Sequence, residues 1–207
     1  MFYLIKTPWW LKKLYPSSVV WNFDTNQKIL YLSFDDGPHP VATPFVLDTL
    51  KKYNAIATFF CIGKNVSEQK EIYQRIIDEG HQVANHTFNH LNGWKTKDKE
   101  YIENVMEAAS YIDSNLFRPP YGRISRFKIN LLQKAGFKII MWDVLSGDFD
   151  KEETKERCAT NVILQAKPGS IIVFHDSEKA FERMSYALPL ILEKFSMEGY
   201  TFKSIII

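Results

Sequence analysis

Cysteine is scarce in this chain: Cys61 and Cys158 are the only two among 207 residues. Two unclustered thiols build no disulfide framework and match no zinc-finger spacing. They read as buried free thiols, which fits a reducing compartment. An excess of one charge sign is also missing. The formal net charge is +2 and no basic stripe stands out, so no nucleic-acid partner is expected. No apolar run approaches the ~20 residues that a membrane helix needs, so no transmembrane segment is expected either. Internal repeats, low-complexity tracts and linkers are absent. The opening Met1-Phe2-Tyr3-Leu4-Ile5-Lys6 loses its apolar character at Lys6, and no small-residue cleavage site follows. That pattern predicts a cytoplasmic location or peripheral attachment to a membrane. Trp9, Trp10 and Leu11 beside Lys12 and Lys13 would suit a membrane surface. So short a patch reads more readily as packing against the domain.

What the chain does have is material for one core: 45% hydrophobic and 14% aromatic residues over a length that suits a single domain. The expected domain runs over 26–207, with 1–25 as an N-terminal extension packed on it. Short apolar runs predict strands over 29–34, 57–62, 82–84, 116–118, 138–142, 170–174 and 201–206. Amphipathic stretches predict helices over 43–53, 68–79, 97–114, 128–135, 151–165 and 187–197. Gly80 and Gly136 follow helix ends, where left-handed caps are expected. Strict alternation of strand and helix implies parallel pairing with right-handed crossovers. About seven such units predict an α/β fold, a distorted parallel (β/α) barrel, with an open doubly wound sheet as the alternative. Polar residues decide for the barrel. They follow five different strands at their carboxyl ends, where barrels build sites, whereas an open sheet places ligands only near its switch point.

The first of these polar groups is Ser33-Phe34-Asp35-Asp36-Gly37-Pro38, two carboxylates at a strand exit with a turn forced behind them. The second is His86-Thr87-Phe88-Asn89-His90. Two histidines four apart on a helical turn face the same way and can grip one cation. Alone, that spacing arises often by chance. Asp36 completes a facial Asp-His-His set that leaves positions open for water and substrate. Zinc is the first choice of divalent metal, with cobalt, nickel or manganese as alternatives, and Asp35 is left over as a base. Arg118 can orient a carboxylate such as Asp35 and hold it ionised, and the backbone N–H of Tyr121 can face a developing oxyanion. His175 ends an almost wholly apolar strand. A lone histidine there is usually a satisfied core residue, but at a barrel mouth it can act as general acid toward a leaving amine. A carboxylate behind it would fix its tautomer. Asp148 is the first candidate and Asp143 the second. His39 is placed at the cleft rim, and His81 at a helix end, where the helix dipole accounts for it.

Taken together, these segments resemble the polysaccharide deacetylase family, carbohydrate esterase family four, also called the NodB homology domain. The motifs come in the family's order from about Ile29 to Ile205. Ser33 to Pro38 is similar to a first motif usually written Thr-Phe-Asp-Asp-Gly-Pro. His86 to His90 resembles the second and Arg118 to Gly122 the third. Trp142 to Phe149 resembles the fourth, with Asp148-Phe149 where the family often has Asp-Trp. Val173 to Asp176 resembles the fifth, with Phe174 where leucine usually precedes the histidine. The resemblance implies a distorted α/β barrel that removes N-acetyl groups from an N-acetylglucosamine-containing glycan, a chitin oligomer or peptidoglycan, with one divalent metal. It implies Asp36, His86 and His90 as metal ligands, Asp35 as base, Arg118 as its partner and His175 as acid. Pro120, Trp142 and Phe174 are expected to line the substrate groove. A hydrolase of a non-sugar amide or imide, or a non-catalytic sugar-binding homologue, are the alternatives on the same scaffold.

Overall fold

A computed structural model describes residues 3–207. Among these residues there are eight strands: β1 (Ile29–Asp35), β2 (Thr58–Cys61), β3 (Gln82–Asn85), β4 (Leu116–Phe117), β5 (Lys138–Ile139), β6 (Val144–Leu145), β7 (Ile171–His175) and β8 (Thr201–Phe202). Helices α1 (Trp9–Lys12), α2 (Ala42–Lys52), α3 (Gly63–Glu68), α4 (Lys70–Asp78), α5 (Asp98–Ala109), α6 (Arg126–Lys134), α7 (Lys155–Gln165) and α8 (Phe181–Met197) alternate with them. Seven strands pair side by side in the order β5-β4-β3-β2-β1-β7-β6, and β8 pairs separately with β1. Every pairing is parallel. This is the expected single domain with a distorted (β/α) barrel. No helix among the described residues is long and apolar enough to cross a membrane.

β1 is central and almost wholly buried, which explains its near-continuous apolar run. Alternation along the strands sorts their side chains. Phe34 points toward the helices and lies between Phe59 and Phe174, at ring-centroid distances of 5.2 and 6.0 Å. Ser33 and Asp35 point the other way, into the barrel. Gly80 and Gly136 take φ of 80° and 94° at the ends of α4 and α6, a left-handed conformation that glycine adopts without strain.

Several elements differ from the sequence reading for local reasons. The helix expected over 68–79 is α4, confined to 70–78, because Gln69 leaves helical geometry at φ −120°, ψ 50° and separates it from α3, which the sequence did not announce. β6 was not anticipated, since two residues carry no readable period and only pairing with β7 defines it. Helix α8 begins at Phe181 rather than 187; the charged side chain of Arg183 masks its first turn, yet it is buried and donates to the Asp148 carbonyl at 2.7 Å.

The two outer strands of the curled sheet, β5 and β6, are not paired with each other, and the N-terminal segment occupies the gap. Leu145 N–H donates to the Ile5 carbonyl at 2.8 Å, and Met141 N–H donates to Val20 at 2.7 Å. Val19 and Trp21 are buried with Phe137, Ile139 and Met141. The Asp143 carboxylate accepts from Lys6 at 2.5 Å, Lys12 at 3.0 Å and Ser170 at 2.7 Å, which ties the segment to the barrel.

Candidate active site

At the carboxyl end of β1 the backbone turns sharply. Asp36 takes φ 81°, in the left-handed region that short polar side chains tolerate best. The turn breaks strand alternation, so the adjacent carboxylates part. Asp35 accepts a hydrogen bond from Arg118 Nη1 at 2.6 Å, while Asp36 faces the histidines. Asn65 Nδ2 holds the Asp36 carbonyl at 2.7 Å.

After β3, residues 86–90 form a turn rather than the expected helical one, with Thr87 at φ 65° and His90 at φ 55°. A left-handed β-branched residue is strained, and surrounding amides hold it. Thr87 N–H donates to Asn85 Oδ1 at 2.9 Å, and Asn104 Oδ1 accepts from the N–H groups of Phe88 and Asn89. The turn brings His86 and His90 to the same carboxylate. His90 Nε2 lies 3.1 Å and His86 Nε2 3.7 Å from Asp36 Oδ1. Donor atoms of the three residues all lie within 4.8 Å of one another.

These residues fit a cation. Asp36 Oδ1 is buried and has no hydrogen-bond partner among the described residues. His86 Nδ1 sits 2.8 Å from the Arg118 carbonyl, an acceptor only, so Nδ1 carries the proton and Nε2 keeps its lone pair in the neutral ring. Burial pushes the His86 pKa down to about 4, which keeps that ring neutral near pH 7. Burial works against charge on Asp36, but nearby His90, His175 and His86 outweigh it and hold its carboxyl well below the usual range. Asp, His and His are a donor set suited to zinc and its divalent neighbours.

Arg118 is fully buried and its contacts are spent. It donates to Asp35, to Ser33 Oγ at 2.8 Å and to the Met141 carbonyl at 3.0 Å, and its guanidinium carbon lies 3.9 Å from the Phe60 ring centroid. Ser33, where the family motif usually has threonine, is thus part of the brace on Asp35. On β7, His175 is the register partner of Asp35. Its Nδ1 is 2.8 Å from Asp148 Oδ1, and its N–H donates to Asp148 Oδ2 at 2.8 Å. Burial disfavours the imidazolium, but the Asp148 charge and hydrogen bond overcome that and lift the pKa to about 9. Asp143, the alternative brace, is occupied by Lys6, Lys12 and Ser170 and makes no hydrogen bond to His175.

Asp35, Asp36, His86, His90 and His175 open onto one cleft of about 680 Å³. Trp142 and Tyr121 line it; Tyr121 takes φ 61° in the 3-10 turn Pro120–Gly122 and its ring lies 4.6 Å from His90. Two expected groove residues do not line it. Phe174 is buried on the helix side of β7, because the alternation that turns Val173 and His175 inward turns it outward. Pro120 is buried within its turn. Phe149 and Trp94 line the cleft in addition. His39 is not a rim residue: its Nδ1 accepts the N–H groups of Val41 and Ala42 at the start of α2. His81 is buried and its Nδ1 accepts Ala57 N–H, so it serves packing rather than the helix dipole. Asp176 closes the fifth motif, but the sequence reading gave it no role. Buried, it accepts Gly37 N–H at 3.0 Å and the Thr43 hydroxyl at 2.5 Å, and no residue-type signal marks such a brace beforehand.

A (β/α) barrel with a braced carboxylate, a braced histidine and three metal donors at the carboxyl ends of its strands is a hydrolytic enzyme scaffold with a candidate metal centre. The sequence profile of the family described as polysaccharide deacetylase matches residues 22–140. A peptidoglycan-N-acetylglucosamine deacetylase of Bacillus cereus is 32% identical over 201 residues, covering 94% of each chain. A chitooligosaccharide deacetylase of Azorhizobium caulinodans is 34% identical over 158 residues, 73% of this chain and 75% of that one. The crystal structure of the Bc1960 peptidoglycan N-acetylglucosamine deacetylase superposes with a TM-score of 0.88 at 29% identity, covering 96% and 95% of the two chains. The chain belongs to the polysaccharide deacetylase family.

Proposed function

We propose that this protein hydrolyses the N-acetyl group of an N-acetylglucosamine-containing glycan, releasing acetate and leaving a free amine on the sugar. One observation carries the reading. Asp35, held by Arg118, and His175, held by Asp148, open onto the same cleft as three convergent metal donors. A divalent cation held by Asp36, His86 and His90 would lower the pKa of water and polarise the acetamide carbonyl. Asp35 takes the proton of the attacking water, and Arg118 fixes its orientation. The Tyr121 N–H is the proposed donor to the oxygen that becomes negative as the carbonyl carbon turns tetrahedral. His175 gives its proton to the sugar nitrogen as the C–N bond breaks, and Asp148 holds the imidazolium ready. The two ionisable groups have separate roles because their surroundings differ, one beside a guanidinium and the other beside a carboxylate.

The deciding experiment is an acetate-release assay on chitin oligomers and peptidoglycan fragments, with chelator and with zinc added back. Release that stops with chelator and returns with zinc supports the proposal. No release from any of these glycans in the zinc-loaded protein overturns it.

A further inference from the structure

Trp94 is 63% exposed and lies on the rim of the cleft that holds Asp35 and His175. The loop beneath it is built rather than loose. Trp94 N–H donates to Asn92 Oδ1 at 3.0 Å, and Lys128 Nζ holds the Thr96 carbonyl at 3.0 Å. Gly93 presses so close to the Arg123 carbonyl that a Cβ would come within 2.4 Å of it. The same contact keeps Arg123 beside the indole, its guanidinium carbon 5.5 Å from the ring centroid.

Arg123 lines the cleft and makes no side-chain hydrogen bond or ion pair among the described residues. Lys179, near Phe149, also lines the cleft and makes no ion pair among the described residues. Among the described residues the only carboxylates lining the cleft are Asp35 and Asp36, at its floor, the first committed to Arg118 and the second facing His86 and His90. Acidic groups are therefore confined to the floor, and cations stand on the walls. Both cations rest over aromatic rings, Arg123 on Trp94 and Lys179 on Phe149, and a neutral sugar chain would leave both without a counter-charge. An indole face suits the apolar face of a sugar ring, and a guanidinium beside it suits a carboxylate.

From this arrangement we infer that Trp94 and Arg123 form a subsite for a sugar next to the reacting one, and that the subsite selects a sugar bearing a carboxylate. The lactyl ether of peptidoglycan glycan strands has that chemistry; chitin does not. This inference rests on the deacetylase reading above and sharpens its substrate class.

The test compares two tetrasaccharides of equal length: a neutral N-acetylglucosamine oligomer and a peptide-free peptidoglycan fragment with free lactyl carboxylates. Acetate release gives kcat and KM, and calorimetry gives affinity independently of turnover. Arg123→Gln should raise KM and Kd for the acidic fragment roughly tenfold, the scale of one charge-assisted hydrogen bond, and by clearly more than those for the neutral oligomer. Trp94→Ala should weaken both ligands. The wild-type preference for the acidic fragment should shrink as salt is added. Equal affinity of the wild type for both ligands, or an Arg123→Gln effect identical on both, overturns the subsite. Absence of acetate release from either glycan overturns the deacetylase reading instead, and calorimetry still decides the subsite.

Discussion

Asp35 and His175 are direct register partners across the parallel strands β1 and β7. Side chains at paired positions leave a sheet on the same face and at the same height. Asp176 N–H donates to the Asp35 carbonyl at 3.1 Å and locks that register at the strand ends. The proposed base and the proposed acid thus stand on adjacent strands with the candidate metal donors beside them.

Asp35→Asn removes the proton acceptor and keeps the shape of the side chain. Turnover is expected to fall at least ~100-fold, while zinc content, measured by metal analysis, stays at the wild-type level. Near-normal turnover would show that another group takes the proton.

The pKa of His175 is expected to be set by Asp148. Its value is lifted to about 9 in the metal-free protein, so the acid stays protonated through neutral pH, and the zinc-loaded enzyme, in which the cation offsets the Asp36 charge, should lose activity on the alkaline side at or below that value. Asp148→Asn should pull that alkaline limb down by at least ~1 pH unit. The same linkage acts on stability in the metal-free protein. A raised folded-state pKa stabilises fully below the ordinary histidine value of about 6.5, and that contribution is lost as pH rises through about 9. Thermal melts across this window should show the slope in wild type and a flatter one in Asp148→Asn.

Metal retention should depend on pH in the opposite sense. His86 binds a cation only through its neutral ring, and its pKa is depressed to about 4. Zinc affinity, followed by competition with a chromophoric chelator, should weaken as pH drops toward that value. His90→Ala should cost affinity at every pH, because one of three donors is gone. Unaltered zinc binding in that variant would mean that the cation sits elsewhere.

Asp143 and Phe174 separate structural from catalytic roles. Asp143→Asn leaves Lys6 and Lys12 without their counter-charge. Both lysines keep partial access to water, so the loss should be roughly 2 kcal/mol, below the 3–5 kcal/mol of a fully buried pair. Phe174→Ala opens a cavity among Phe34 and its neighbours and should cost about 3–5 kcal/mol. Denaturant melts measure both. KM of the folded fraction should not change in Phe174→Ala, since the ring faces the helices; a selective rise in KM would place it in the groove after all.

How much of this was legible beforehand differs from residue to residue. The apolar runs ending in Asp35 and His175 announced parallel strands with chemistry at one end, because burial on both faces forces a near-continuous apolar sequence; the strand before His86 is partly polar and the one before Arg118 only two residues long. The spacing of His86 and His90 pointed to a shared cation, yet the helical turn assumed between them is a strained loop held by Asn85 and Asn104. The groove lining was misread at Phe174 and missed at Trp94. A motif position names a neighbour in sequence, while alternation and loop geometry decide which face that neighbour reaches.

The sequence by itself therefore determined the alternation of strands and helices, the clustering of polar residues at strand exits and the supply of three candidate metal donors, since each depends on local pattern. Only the tertiary structure decided that Asp148 braces His175 while Asp143 fastens the N-terminal segment, and that residues 5–7 and 20 fill the gap between β5 and β6. Those pairings join residues far apart in the chain. Strand register and the curl of the sheet set their distances, and neither is encoded in any short stretch of residues.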